Sequence, residues 1–212
     1  MSEPNSLTLY GEPGWGSTLI EAQLVWYGLD FTFIRTGDLF ASPEARAALE
    51  RVNPLGQIPT LILADGTVMT ESAAITLHLA DATGRDDLVP APGSPERPGF
   101  LRWLVFIVAN IYPTYTYADD PSRFVTDAGA AQNFKTSVDD YAKRLYTQLD
   151  SAAAAPWFLG PRFSALDIYI AVLTRWNPGQ DWFTGHTPKL AAIARRAASL
   201  DPLKQVWARN FP

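Results

Sequence analysis

Cysteine is absent from the 212 residues. Its absence removes disulfide frameworks, thiolate metal sites and any thiol nucleophile carried by the chain itself. Histidine occurs at His78 and His186 only. Neither has a metal-ligand spacing or a nearby serine motif, so no metal site and no histidine-dependent triad is expected. Basic residues are too few for a nucleic-acid surface: 17 Lys and Arg stand against 22 Asp and Glu, a net charge of -5, where several phosphates would need neutralising. No apolar run approaches the roughly 18 residues of a membrane span. The start MSEPNSLTLYG lacks the basic flank and long apolar stretch of a secretion signal. The expectation is a cytoplasmic protein with no membrane or nucleic-acid partner.

What is present is apolar and aromatic, with 47% hydrophobic and 12% aromatic residues, enough for one large core or two small ones. From Ser6 to Gly84 the apolar period alternates between that of strands and that of helices. SLTLY reads as a short strand ending in a Gly-rich turn, GEPGWG, which opens an amphipathic helix with Leu19, Ile20, Leu24 and Tyr27 at helical spacing and Gly28 as its stop. DFTFIRT is a second strand. SPEARAALERV is a short helix capped by Ser42, with Pro43 at its first position and Glu44 at the positive end of its dipole. IPTLILADGTVMTE gives two strands joined at Asp65-Gly66, and a helix carrying Ile75, His78 and Leu79 on one side ends near Gly84. The order is βαβ, then ββα.

The proline-rich, charged stretch GRDDLVPAPGSPERPG reads as an interdomain linker. Beyond it no strand pattern appears. Phe134, Val138, Tyr141, Leu145 and Leu149 mark a long helix. FSALDIYIAVL places Ser164 as a cap with Asp167 three residues on, starting a helix apolar nearly all round and therefore central to its domain. The expected class is α/β followed by all-α, divided as residues 1–84, a linker at 85–98 and a helical domain at 99–212.

A βαβ-ββα unit followed by helices resembles the cytosolic glutathione S-transferases, of the bacterial serine-, theta- and beta-like kind, and three segments carry the resemblance over essentially the whole chain. NPLGQIPTL, from Asn53, looks like the family's loop into its third strand, where a cis-proline follows a small apolar residue. TESAAITLHLAD, from Thr70, looks like its glutathione-binding helix start, and SALDIYIA like its capping-box segment. The resemblance implies a thioredoxin-like first domain, glutathione as co-substrate, no metal and a homodimer. It also implies that Ile58, before Pro59, makes main-chain hydrogen bonds to the cysteinyl unit, with Gln57 alongside. Glu71 and Ser72 would hold the γ-glutamyl unit, consistent with the preference of a helix start for a carboxylate. Arg46 or Arg51, or a second subunit, would replace the family's lysine at the glycyl carboxylate, since no lysine precedes Lys135.

In that reading the missing nucleophile is supplied by glutathione, and the protein need only favour its thiolate. Three donors stand open: the Ser17 hydroxyl at the start of the first helix, the Tyr10 hydroxyl at the end of the first strand, and bare main-chain N–H groups behind Gly14 and Gly16. The turn departs from the family pattern in having no cysteine or serine at Gly14-Trp15-Gly16. The electrophile would meet the aromatic set of FLRWLVFIVANIYPTYTYADD, with Asn110, Tyr115 and Tyr117 as pocket candidates beside Trp15, and Trp103 and Phe106 as core. The implied function is a glutathione transferase. A glutathione-dependent lyase or isomerase, or a binding or scaffolding module of the same fold without turnover, is the alternative.

Overall fold

A computed structural model describes residues 6–212; residues 1–5, the opening of the expected first domain, lie outside the described residues. The chain forms two compact units, one running to Val89 and completed by Arg195–Pro212, the other spanning Pro90–Ala194. The first contains β1 (Leu7–Gly11), α1 (Ser17–Tyr27), β2 (Phe31–Arg35), α2 (Pro43–Glu50), β3 (Thr60–Ile62), β4 (Val68–Met69) and α3 (Ser72–Thr83). The second contains α4 (Arg97–Phe106), α5 (Tyr112–Asp119), α6 (Ala128–Ala152), α7 (Ala165–Leu173) and α8 (Gln180–His186); α9 (Pro188–Ala198) returns the chain to the first unit, where α10 (Lys204–Asn210) completes it. Among the described residues, no helix is long and apolar enough to cross a membrane.

The sheet has the order β2-β1-β3-β4, with β1 parallel to β2 and antiparallel to β3. This is the βαβ-ββα order expected from the alternation of periods, in the thioredoxin-like arrangement that the resemblance implies. Gly28 ends α1 in the left-handed conformation at φ 68°, which glycine adopts without steric cost. Ser42 caps α2 by accepting the Ala45 N–H at 3.1 Å.

Two helices differ from their sequence reading. In α1 every residue from Ser17 to Leu24 is buried, including Glu21 and Gln23, so the helix is not amphipathic in its setting. The reason is that α3 packs on it and so do α10 and the preceding turn Asp201–Leu203, part of a segment that the sequence division places in the helical domain. In α6 the buried stripe runs through Val138, Ala142, Leu145, Tyr146 and Leu149, while Tyr141 is 43% exposed at its edge under the Arg144 guanidinium.

Between α4 and α5 the helix widens into a π turn, Ile107–Ile111, where the Tyr112 N–H donates to the Ile107 carbonyl. Pro113 accounts for it, since a proline has no N–H to donate and its ring crowds the carbonyl four residues earlier. The capping box of α7 is formed as expected. The Asp167 carboxylate accepts from the N–H of Ser164 at 2.8 Å and, with its other oxygen, from the N–H of Phe158 at 2.8 Å. Burial nevertheless pushes the Asp167 carboxyl up to about 6, outweighing those bonds.

Candidate functional site

The turn between β1 and α1 is closed by its own hydrogen bonds. Ser17 Oγ accepts from the Glu12 N–H at 3.1 Å and donates to the Glu12 carbonyl at 3.1 Å, and Ser17 is completely buried. A side chain at Gly11 would collide with that hydroxyl, so the glycine makes the room it occupies. The Trp15 N–H returns to the Glu12 carbonyl at 3.1 Å and the Thr18 N–H to the Trp15 carbonyl at 3.0 Å. Ser17 is therefore a turn-closing residue whose donor hydrogen is already committed to the main chain.

No acceptor among the described residues meets the N–H groups of Gly16 and Ser17. They are the orphan donors of the α1 start, at the positive end of its dipole. The Tyr10 hydroxyl likewise makes no hydrogen bond among the described residues, and Tyr10 is half-buried at the end of β1, opposite Thr60. Trp15 is partly exposed and stacks at a tilt on Phe40, ring centroids 5.3 Å apart.

Against this turn lies the loop into β3. A Cβ built on Gly16 would come 3.2 Å from the Ile58 carbonyl oxygen and 3.6 Å from Pro59 Cδ, so the absence of a side chain permits the close approach. The Ile58-Pro59 bond is cis, as the resemblance implies. Asn53, 3% exposed, fixes the loop by donating to the Gln57 carbonyl at 2.9 Å and to the Thr60 hydroxyl at 3.1 Å; Thr60 donates to the same carbonyl at 2.8 Å. With Gln57 so held, the main-chain N–H and carbonyl of Ile58 meet no partner among the described residues. They offer an extended peptide one donor and one acceptor.

Glu71 stands before α3 at φ 63°, ψ 100°, the sole non-glycine with positive φ among the described residues. Its carbonyl accepts the Ile75 N–H at 3.0 Å, while its side chain is exposed. Such a conformation costs about 1–3 kcal/mol and persists where the surroundings impose it, commonly at ligand sites. Ser72 is buried at the first position of α3, and neither its hydroxyl nor the N–H groups of Ser72 and Ala73 have an acceptor among the described residues. A carboxylate beside these donors and an ammonium beside Glu71 would complete both.

Charged groups border the turn region. Glu12, at the turn's start, pairs with Arg35 and accepts the Gly37 N–H at 3.0 Å. Arg46 donates through Nε to the Leu39 carbonyl at 3.1 Å and lays its stem beside Gly56, next to Gln57. Arg51 is exposed at the end of α2.

In the helical unit, the candidates are dispersed. Asn110 lies in the π turn and donates to the Phe106 carbonyl at 3.2 Å. The Tyr115 hydroxyl shares a 2.6 Å hydrogen bond with that of Tyr146 and donates to the Asn177 carbonyl at 2.8 Å; burial raises the pKa of both phenols. Tyr115 thus cross-links helices of its own unit. Tyr117 is 38% exposed and packs edge-on against Phe124, centroids 5.0 Å apart. Trp103 is buried as expected, in edge contact with Phe106 and Phe158. Among the described residues, no cluster of His, Asp and Glu could hold a metal.

Sequence reasoning missed Asn53 and Asn210. Asn210 accepts the Gly14 N–H at 3.0 Å and the Thr18 hydroxyl at 2.8 Å. An asparagine 196 residues from its partner leaves no local signal.

Comparison with known proteins bears on the same segments. The family described as "Glutathione S-transferase, N-terminal domain" matches residues 21–82. The chain is 38% identical over 205 residues, 96% of its own length and 98% of the relative's, to YncG, an uncharacterized GST-like protein of Escherichia coli strain K12. A sphingomonad glutathione S-transferase solved in complex with glutathione is 27% identical with a TM-score of 0.77, over 97% of this chain and 100% of the other. A glutathione transferase homologue from Sulfitobacter with bound glutathione reaches a TM-score of 0.82 at 20% identity, over 98% and 99% of the two chains, a likeness of fold alone.

Proposed function

Because the chain belongs to the glutathione S-transferase family, we propose that it binds glutathione along the edge formed by the α1 turn, the Ile58 loop and the start of α3, and transfers the tripeptide's thiolate to a hydrophobic electrophile. The observation that carries this reading is the pair of unpartnered N–H groups at Gly16 and Ser17, beside the open main chain of Ile58. The Ile58 groups pair with the cysteinyl unit, Ser72 and the α3 start take the γ-glutamyl carboxylate, and Glu71 takes its ammonium. Arg46, beside Gly56, faces the glycyl carboxylate.

The thiol donors in this account are the main-chain N–H groups, with Tyr10 second. A free thiol has a pKa of about 8.5, and lowering it by about two units takes about 2.7 kcal/mol of preference for the anion. Hydrogen bonds to a charged acceptor contribute about 1.5–3 kcal/mol each, and a helix start adds roughly 0.3–1 kcal/mol. Two such donors suffice without a side chain. The thiolate then attacks the electrophilic carbon, a leaving group departs with its electron pair, and the thiol proton passes to water.

Asn110 and Tyr117 of the helical unit are the electrophile contacts in this reading. Tyr115, tied to Tyr146 and Asn177, holds the helices. The reading carries a homodimer and a cytoplasmic setting with it, and exposed Phe40, Leu55 and Val105 are apolar surface that a second copy would cover. The test is glutathione consumption with an activated chloronitroarene: chloride release in step with thiol loss supports transfer. Saturable glutathione binding without any turnover across aryl halides, epoxides and unsaturated carbonyls would instead support the binding module.

A further inference from the structure

Asn210 and Phe211 close around Gly14. Asn210 is 5% exposed and its carboxamide is saturated: Oδ1 accepts from the Gly14 N–H and the Thr18 hydroxyl, and Nδ2 donates to Glu21 Oε2 at 2.8 Å and to the Val206 carbonyl at 2.9 Å. Two lone pairs and two hydrogens are all that an amide offers, so its orientation is fixed by a main-chain donor at one end and a carboxylate at the other. Glu21, wholly buried in α1, also pairs with the guanidinium of Arg209. Consecutive residues of α10 thus grip one buried acid.

Gly14 is held on a second side. Its φ is 79°, and a Cβ there would stand 3.1 Å from the Asn210 carbonyl oxygen and 3.8 Å from the Phe211 ring. Neither the backbone conformation nor the space admits another residue easily. Gly14 leads directly into Trp15, Gly16 and Ser17, whose peptide planes set where the two unpartnered N–H groups aim.

We propose that Asn210 is a positioning residue of the site: by clasping the Gly14 N–H it fixes the turn that presents the Gly16 and Ser17 N–H groups, making the carboxyl-terminal turn part of the thiolate-stabilising apparatus. This rests on the transferase reading above. The γ-glutamyl and cysteinyl contacts, at Ser72, Glu71 and Ile58, do not pass through the clasp. Its loss acts on the thiol's ionisation and spares the affinity for the tripeptide in its protonated thiol form.

The experiment compares wild type, Asn210→Leu, a chain ended after Arg209, and Leu203→Ala as a control that removes a buried contact of the same segment without touching Gly14. The midpoint of the bound thiolate's ultraviolet band is followed against pH, glutathione affinity by titration, and amide exchange of residues 11–19 in the free proteins by mass spectrometry. Asn210→Leu is expected to raise the midpoint by about one unit, a tenfold fall in the ratio of thiolate to thiol, with affinity measured at about pH 5.5, where the bound thiol is protonated, changed less than about threefold and faster exchange over 11–19. The truncated chain should behave alike, and it serves if the leucine variant does not fold. An unmoved midpoint overturns the proposal, as does an equal shift in Leu203→Ala at matched thermal stability. A wild-type protein without a depressed thiol defeats the transferase reading instead; in that case unchanged exchange over 11–19 in Asn210→Leu overturns the clasp, and accelerated exchange supports it.

Discussion

Replacing Ser17 by alanine separates a turn-closing hydroxyl from a thiol-activating one. The substitution removes a hydrogen bond in each direction between Ser17 Oγ and Glu12. The Glu12 carbonyl keeps the Trp15 N–H at 3.1 Å, so a single group, the Glu12 N–H, is orphaned. An unsatisfied part-buried donor costs about 1–3 kcal/mol, and the hydroxyl's own burial cost is recovered, giving a net loss of about 2 kcal/mol. For a protein of this size that lowers Tm by roughly 4–8 °C. In the proposed account the donors to sulfur are the N–H groups of Gly16 and Ser17, which alanine retains, so the thiolate midpoint should move by less than about half a unit. Urea unfolding gives the first quantity and the ultraviolet difference spectrum of bound glutathione against pH gives the second. A midpoint returned to about 8.5 with stability almost unchanged would refute the main-chain account and restore Ser17 as the activating side chain.

Tyr10→Phe should change the thiolate midpoint by less than about half a unit, checked by the same spectrum; a rise above one unit would make the phenol the donor. Glu71→Gly should stabilise the protein by about 1 kcal/mol in urea unfolding, by relieving the positive φ, while weakening glutathione at least tenfold in a calorimetric titration through loss of the ammonium partner. For Asp167, the folded pKa of about 6 exceeds the unfolded value of about 3.9, so the folded state holds the extra proton between those pH values. Its contribution favours folding below about pH 4 and declines as pH rises through about 6, by up to roughly 3 kcal/mol. The Asp167 carboxyl resonance should titrate near 6 in the folded protein; a midpoint below 4 would show that the three N–H and O–H donors outweigh burial.

Much of the architecture is legible because it is local. The Asp65-Gly66 turn, the Ser42-Pro43 helix start and the Ser164–Asp167 box each encode their geometry within a few residues. The open main chain of Ile58 was readable from Pro59, which cannot donate. Long-range events were not. The burial of α1 on all sides depends on a segment nearly two hundred residues later folding back on it, and neither Glu21 nor Gln23 announces that in a helical pattern. The partner of Ser17 was hidden for the same reason: a serine at a helix start reads as cap or donor, and nothing local shows that its hydroxyl meets the Glu12 main chain. The π turn before Pro113 shows the intermediate case, in which the proline foretells a disruption but not whether the helix breaks or widens.

The central claim, that the α1 turn favours the thiolate of glutathione, is tested most directly by titrating the wild-type protein with glutathione and following the thiolate absorbance from pH 5 to 9, with S-methylglutathione as the blank that cannot ionise. The account predicts a saturable band whose midpoint lies about two units below that of the free thiol. Saturable binding with the midpoint left at about 8.5 would contradict it.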